Sequence, residues 1–316
     1  MNRQLVLYFD NCVFSELLKP EAKEMRKSFA APSFHHRIAF SDVHIHEMWT
    51  NQEEYTNLIN ELDAVFVRNP GQLHNRHNQI CSLDPAQPEE RFATYLELSS
   101  VYDAFEAMLA PIHHFLGGFR EKSMIHIAKE TQDEIAEALE HLFHEHPHSD
   151  SSGLHSTLKE ISMNLSSIDV TEGWRAIEDQ VLAARHGDPM KEMDPIEKVK
   201  HLLSKLDETE RCKFEEEYPE KFAQVRGLET GELTGFAFAL FGLGLTKRKG
   251  VFSGPRQAQK FAAQFRDAQH IEEASRCDWF VTFDQGASEL AASTYAYAGI
   301  GTNTILLKKK AIATSV

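Results

Sequence analysis

Short apolar runs bracket the chain at both ends, and a long stretch of helical periodicity lies between them. Residues 4–9 (QLVLYF) crowd β-forming side chains into one run that stops at Asp10-Asn11, which predicts a strand. Residues 13–30 read as helix, with a break or restart at Pro20. Arg37–Phe40 (RIAF) predicts a second strand, and Ser41 or Asp42 caps a helix that runs to about Thr50. Near the other end the alternation resumes. Gln257–Arg276 reads as helix, Trp279–Phe283 as strand, Ala287–Tyr297 as helix and Thr302–Leu307 as a last strand. Strands alternating with helices predict βαβ units on a parallel sheet.

Residues 53–249 read as nearly all helix. Leu98, Val101, Phe105, Met108 and Ile112 keep a three- and four-residue rhythm that Pro111 disturbs. Ile135, Leu139 and Leu142 repeat it, and Asp194-Pro195 opens a helix with Val199, Leu202, Leu203 and Leu206 on one face. Leu233–Leu245 (LTGFAFALFGLGL) is apolar all round but too short to cross a bilayer, so it predicts a buried helix. Turn signals fall at Asn69-Pro70-Gly71, 84–88, 147–153 and 186–189. The expected organisation is an α/β domain assembled from residues 1–52 and 250–316, interrupted by a helical insertion over 53–249.

The 316 residues are 42% hydrophobic and 26% charged, an ordinary globular balance. A formal net charge of −15 weighs against indiscriminate binding to phosphate backbones and leaves room for a carboxylate–metal site, a small substrate or a basic partner. The N-terminus shows no secretory pattern, and no run of 18 apolar residues is present. Cys12, Cys81, Cys212 and Cys277 form no C-x-x-C pair. These features predict reduced thiols, a cytoplasmic location and no membrane partner.

The chemistry lies in the acids. Asp10 and Asp284 each follow a predicted strand, and parallel strands would bring both to the carboxyl edge, where open α/β sheets bind ligands. Asp267 shares a helical stripe with Ile271 and Ala274, and Glu47 stands one turn beyond Val43 after the second strand. Taken singly, each acid reads as a cap or turn former, and Asp284 suits the cap of the following helix. Together they would repel: two unit charges about 5 Å apart cost roughly 3 kcal/mol at an effective dielectric of about 20. Mg²⁺ or Mn²⁺, which prefer hard oxygen ligands, would relieve that repulsion and serve phosphodiester hydrolysis.

Three segments, LVLYFDNCVF (5–14), FSDVHIHE (40–47) and RDAQHIEEASRCDWFVTFD (266–284), resemble a PIN-domain metal-dependent nuclease. The resemblance covers about the first 50 and last 65 residues. It implies a three-layer α/β/α fold with a central parallel sheet. It also implies that Asp10, Glu47, Asp267 and Asp284 are metal ligands, that Ser41 opens the second helix, and that the Thr282 hydroxyl lies near the attacking water. Cys12 departs from the family's frequent Asn and puts one supporting hydrogen bond in question.

Lys247-Arg248-Lys249 reads equally as a grip on a phosphate backbone beside the acids and as cations at a helix C-terminus. Lys308-Lys309-Lys310 reads as solvated surface, and His141, His144, His146 and His148 as a solvated helix end. His44 reads as a surface histidine, with orientation of Glu47 or contact with substrate as the alternative, and His270 reads as structural. No phosphate-binding glycine loop or G-x-S-x-G is present. The expected function is a metal-dependent endoribonuclease with RNA as partner. The alternatives are a non-catalytic scaffold that binds a protein through its acidic helical insertion, and a metal-dependent phosphatase or DNA 5′-nuclease using the same acids.

Overall fold

The computed structural model describes residues 4–31, 35–68, 82–119, 121–145, 190, 192–246, 251–252 and 254–308. The apolar runs at both chain ends become neighbouring strands. β1 (Val6–Phe9) is buried along its whole length, as a strand flanked on both sides must be. β2 (Arg37–Phe40) and β5 (Trp279–Thr282) pair with it in parallel, one on each side. β3 (Val65–Arg68) adds in parallel beyond β2, and β6 (Asn303–Leu306) beyond β5. β4 (Ser82–Pro85) closes one edge antiparallel to β3. The order is β4-β3-β2-β1-β5-β6. This is an α/β fold on a mostly parallel six-stranded sheet, compatible with the expected three-layer arrangement.

The helices that lead into and out of these strands follow from their caps. α1 (Asn11–Leu17) starts at Asp10, a 3₁₀ turn follows at Pro20–Ala22, and α2 (Lys23–Ala30) continues it, so the expected break at Pro20 is real. α3 (Asp42–Met48) is capped at Ser41, whose N–H donates to His44 Nδ1 at 3.0 Å. A 3₁₀ turn at Trp49–Asn51 leads to α4 (Gln52–Glu61).

The chain divides into two compact units, and not at the boundaries that the periodicity predicts. The sheet-bearing unit comprises Met1–Phe92, Asp188–Thr246 and Phe265–Val316, and the second comprises Ala93–Gly187 and Lys247–Gln264. Residues 53–92 and 188–246 therefore belong with the sheet rather than with a helical insertion. VFVR is only four residues long, and so short an apolar run cannot be told from a turn of buried helix by period.

The sheet-bearing unit also holds α8 (Pro195–Leu203), α9 (Glu208–Glu217), α10 (Phe222–Arg226) and α11 (Glu232–Gly242). Asp194 caps α8 by accepting from the N–H groups of Ile196 and Glu197, as Asp194-Pro195 predicts. α11 is the apolar segment, and Leu233, Phe236, Ala237, Leu240 and Phe241 are fully buried. Its Phe236 ring stacks on Tyr297 of α13 (Gln285–Ala298), with centroids 5.3 Å apart.

The second unit takes most of α5 (Pro88–Ala107), then α6 (Leu109–Phe115), α7 (Met124–Glu145) and the opening turns of α12 (Gln257–Ala274). No helix among the described residues is long and apolar enough to cross a membrane.

Candidate active site

The strand order reverses direction at β1 and β5. The chain builds β2, β3 and β4 on one side of β1, and later β5 and β6 on the other. A crevice at the carboxyl ends of such strands is the habitual ligand position of open α/β sheets. Asp10 and Thr282 stand there. The Asp10 N–H donates to Val281 O at 2.9 Å, which continues the ladder and sets Asp10 against Thr282. Thr282 Oγ1 then donates to Asp10 Oδ2 at 2.5 Å. Both residues are buried, Asp10 at 5% exposure and Thr282 at 0%.

Cys12 completes this corner. Its thiol donates to Asp10 Oδ2 at 3.1 Å and lies 3.3 Å from Thr282 Oγ1, while the Phe283 N–H approaches the sulfur at 3.3 Å. The supporting hydrogen bond to Asp10 is thus made by sulfur. Burial, reinforced by the Asp10 charge, pushes the thiol up to about 12, so it stays protonated and acts as a donor rather than a nucleophile.

Asp284 has two allegiances. Its N–H donates to Thr282 Oγ1 at 2.9 Å, and its Oδ1 caps α13 by accepting from the Ala287 N–H at 2.9 Å. The cap reading of Asp284 is therefore correct for one oxygen, while the side chain remains exposed at the strand end. Gly286 permits this close packing, because a Cβ there would lie 3.1 Å from Asp284 Oδ1.

Asp267 lies on α12, where its stripe partners Ile271 and Ala274 are fully buried as the period predicts. Its carboxyl is pushed well above the usual range, first by desolvation and then by the charges of Asp10, Glu47 and Asp284, against the opposing pull of His270. The four predicted acids thus lie close enough to act on one another.

Glu47 is differently engaged. Its Oε1 accepts from Arg266 Nε at 3.1 Å and its Oε2 faces His270 Nε2 at 2.9 Å. Desolvation would raise its pKa, but the His270 hydrogen bond and the charges of His270 and Arg266 hold it down to about 2. His270 in turn contacts the buried Tyr8 hydroxyl through Nδ1 at 2.8 Å, and that hydroxyl reaches Ser41 Oγ at 2.7 Å. A polar chain from Arg266 through Glu47, His270 and Tyr8 to Ser41 therefore ties α3 and α12 to β1. His44 supports the same corner, with Nε2–H donating to Phe9 O at 2.6 Å.

His270 is structural in this arrangement, as its sequence position implies, whereas His44 is no surface histidine: it is fully buried, because its two ring nitrogens are taken up by the Ser41 N–H and the Phe9 carbonyl. Tyr8 is a core residue, as its apolar run implies, but the role of its hydroxyl and that of Arg266 were not legible in the sequence. Tyr8 sits in an apolar run, where a hydroxyl gives no sign of its partner, and Arg266 is a lone basic residue directly before Asp267. Lys247, Arg248 and Lys249 lie outside the described residues, as do the side chains of His141 and His144 together with His146 and His148.

Among the described residues, no three His, Cys, Asp or Glu side chains are gathered tightly enough to hold a metal ion. The donor chemistry nonetheless fits a hard divalent cation. Asp10, Asp267 and Asp284 offer only oxygen, and the desolvation and then the neighbouring negative charge that raise Asp267 are both opposed by a nearby cation. No protein-family model matches the chain, and comparisons with curated proteins and with solved structures found no match.

Proposed function

We propose that the chain is a metal-dependent PIN-like nuclease that hydrolyses RNA phosphodiester bonds. The observation that carries this reading is the meeting of Asp10 and Thr282 at the strand-order reversal, with Asp284 hydrogen-bonded into the same corner and Asp267 within its field. Mg²⁺ or Mn²⁺ held by Asp10, Asp267 and Asp284 would supply Lewis acidity and a more acidic water.

The remaining roles belong to the chain. Thr282 and Cys12 fix the rotamer of Asp10 by donating to one of its oxygens, which leaves the other directed to a ligand. Asp284 spends one oxygen on its helix and keeps the second. Glu47 would join the ligands only by exchanging one of its present partners, Arg266 or His270, so its role in this reading is to hold α12 and Asp267 in position. Lys247, Arg248 and Lys249 would grip the substrate backbone.

The test is cleavage of a single-stranded RNA with Mn²⁺ or Mg²⁺, abolished by chelator and by Asp10→Asn or Asp284→Asn. Unchanged cleavage in both variants would remove the assignment.

One observation favours the non-catalytic alternative. Asp10, Glu47 and Asp284 each have internal partners, as acids of a purely structural cluster would. Melting temperature against millimolar Mn²⁺ separates the two readings, because an ion bound only by the native state must raise it. No shift at saturating metal would favour the scaffold.

A further inference from the structure

The second unit contains a half-open pocket of about 400 Å³, within the size range of small-molecule sites. Its walls come from α6, α7 and the first turns of α12. Part of the lining is apolar, with Leu109, Ile127 and Phe261 at 6%, 1% and 1% exposure. The mouth carries the carboxylates of Glu106, Glu130 and Glu134 against one ammonium, Lys122.

Among the described residues, two buried polar atoms of this lining have no hydrogen-bond partner: His113 Nδ1 and Thr131 Oγ1, each on a residue 1% exposed. A buried polar group left unpaired costs about 1–3 kcal/mol, so such atoms ask for an explanation. The tautomer of His113 is settled by its other nitrogen, because Nε2 must donate to Val251 O at 2.7 Å. Nδ1 is therefore a lone-pair acceptor. The ring cannot swing away. It stacks on Phe261, with centroids 4.3 Å apart and planes 16° apart, and it presses on Gly118, where a Cβ would come within 2.4 Å. Desolvation lowers the basicity of this imidazole, in keeping with a neutral acceptor.

We propose that this cavity binds a small organic cation, an ammonium carried on an apolar body. Lys122 is already paired with Glu130, at 2.6 and 2.9 Å to its two oxygens, so it leaves Glu134 unneutralised. His113 Nδ1, the Thr131 hydroxyl oxygen and the Glu134 carboxylate offer lone pairs, so the complementary ligand is a donor with positive charge. The apolar wall takes its hydrocarbon part. Glu134 is raised by partial burial and then by Glu130 and Glu137, an environment that an added cation would relieve. The proposal is independent of the nuclease reading, since it uses none of the same residues.

Isothermal titration of the full chain with 4-phenylbutylammonium tests it, with 4-phenylbutanol and 4-phenylbutanoate as neutral and anionic counterparts. The ammonium is expected to bind saturably and at least tenfold more tightly than either counterpart. Ala110→Phe, which fills the cavity, is expected to abolish binding. Glu134→Gln at the exposed mouth and Thr131→Val on the wall should each weaken it at least threefold. Thr131→Val should do so without lowering the melting temperature, because the hydroxyl it removes has no partner in the free protein. The proposal is overturned if none of the three probes binds, if alcohol or carboxylate binds as well as the ammonium, or if Ala110→Phe leaves affinity unchanged. Unchanged affinity in both Glu134→Gln and Thr131→Val would also overturn it.

Discussion

Thr282 donates a 2.5 Å hydrogen bond to Asp10 across 272 residues of sequence, and the same hydroxyl oxygen receives the Asp284 N–H at 2.9 Å. One side chain therefore fixes two of the acids. Thr282→Val keeps the shape and removes both bonds. It is expected to cost about 1–3 kcal/mol, mainly through the stranded Asp284 N–H and the loss of the stronger of the two donors to Asp10 Oδ2, which keeps only the Cys12 thiol. Cleavage should fall with it, and Thr282→Ser should recover both. Denaturant midpoints and initial rates measure the two effects, and a valine variant as stable and active as wild type would contradict this role.

Asp267→Asn should separate stability from activity. In chelator, it removes an acid crowded by Asp10, Glu47 and Asp284, so the melting temperature should rise by about 2–4 °C. The Mn²⁺-dependent rise in melting temperature and RNA cleavage should both be lost. A fall in melting temperature combined with an intact Mn²⁺ response would count against the placement of Asp267 among the ligands.

Tyr8 is fully buried, and its hydroxyl lies between Ser41 Oγ and His270 Nδ1. Tyr8→Phe leaves the packing intact and strands both partners. The expected cost is about 1–3 kcal/mol in equilibrium unfolding. A change below about 0.5 kcal/mol would mean that Ser41 and His270 find each other or water without Tyr8.

His44 should make stability fall in acid. Burial first, and His270 next, hold its pKa well below the ordinary 6.5. Its Nδ1 accepts from the Ser41 N–H, so a proton there would set donor against donor. Below pH 6.5 the unfolded chain takes up a proton that the folded chain refuses. The His44 contribution is therefore present above pH 6.5 and lost as pH falls through the depressed folded value. The stability difference between wild type and His44→Gln is expected to be largest above pH 6.5 and to shrink toward pH 5. A difference that is constant or grows in acid would reverse this assignment.

Gly118→Ala should destabilise the second unit by about 1–3 kcal/mol. The added methyl would meet the His113 ring at 2.4 Å, and Phe261 stacks on that ring at 4.3 Å, so the collision has little room to relax. Hydrogen exchange in α6 and α7 would register the loss locally, and an unchanged pattern would show that the loop absorbs the methyl.

Much of the sheet was legible from period and punctuation. The strands around Val6–Phe9, Arg37–Phe40, Trp279–Thr282 and Asn303–Leu306, and the helices that follow the first three, appear within a few residues of their expected positions. Those are local matters: a dense run of β-formers, a Ser or Asp cap, and a stripe at three- and four-residue spacing. The placement of Asp10 and Asp284 at strand ends follows from the same signals, as does the core-facing stripe of Asp267.

Tertiary structure alone decided which segments share the sheet and which partners the acids take. The Val65–Arg68 strand and its Ser82–Pro85 neighbour are too short to declare themselves, and they become strands because an exposed edge of β2 and then of β3 offers unpaired backbone groups. Glu47 looks like a fourth metal ligand in one dimension. In three it meets Arg266 and His270, 219 and 223 residues away, because α12 crosses the same corner. Local pattern determined where each carboxylate would sit on its own element. Long-range packing determined whether that carboxylate would meet another acid, a cation or a hydroxyl, since those contacts follow from burial and strand register rather than from any neighbour in sequence.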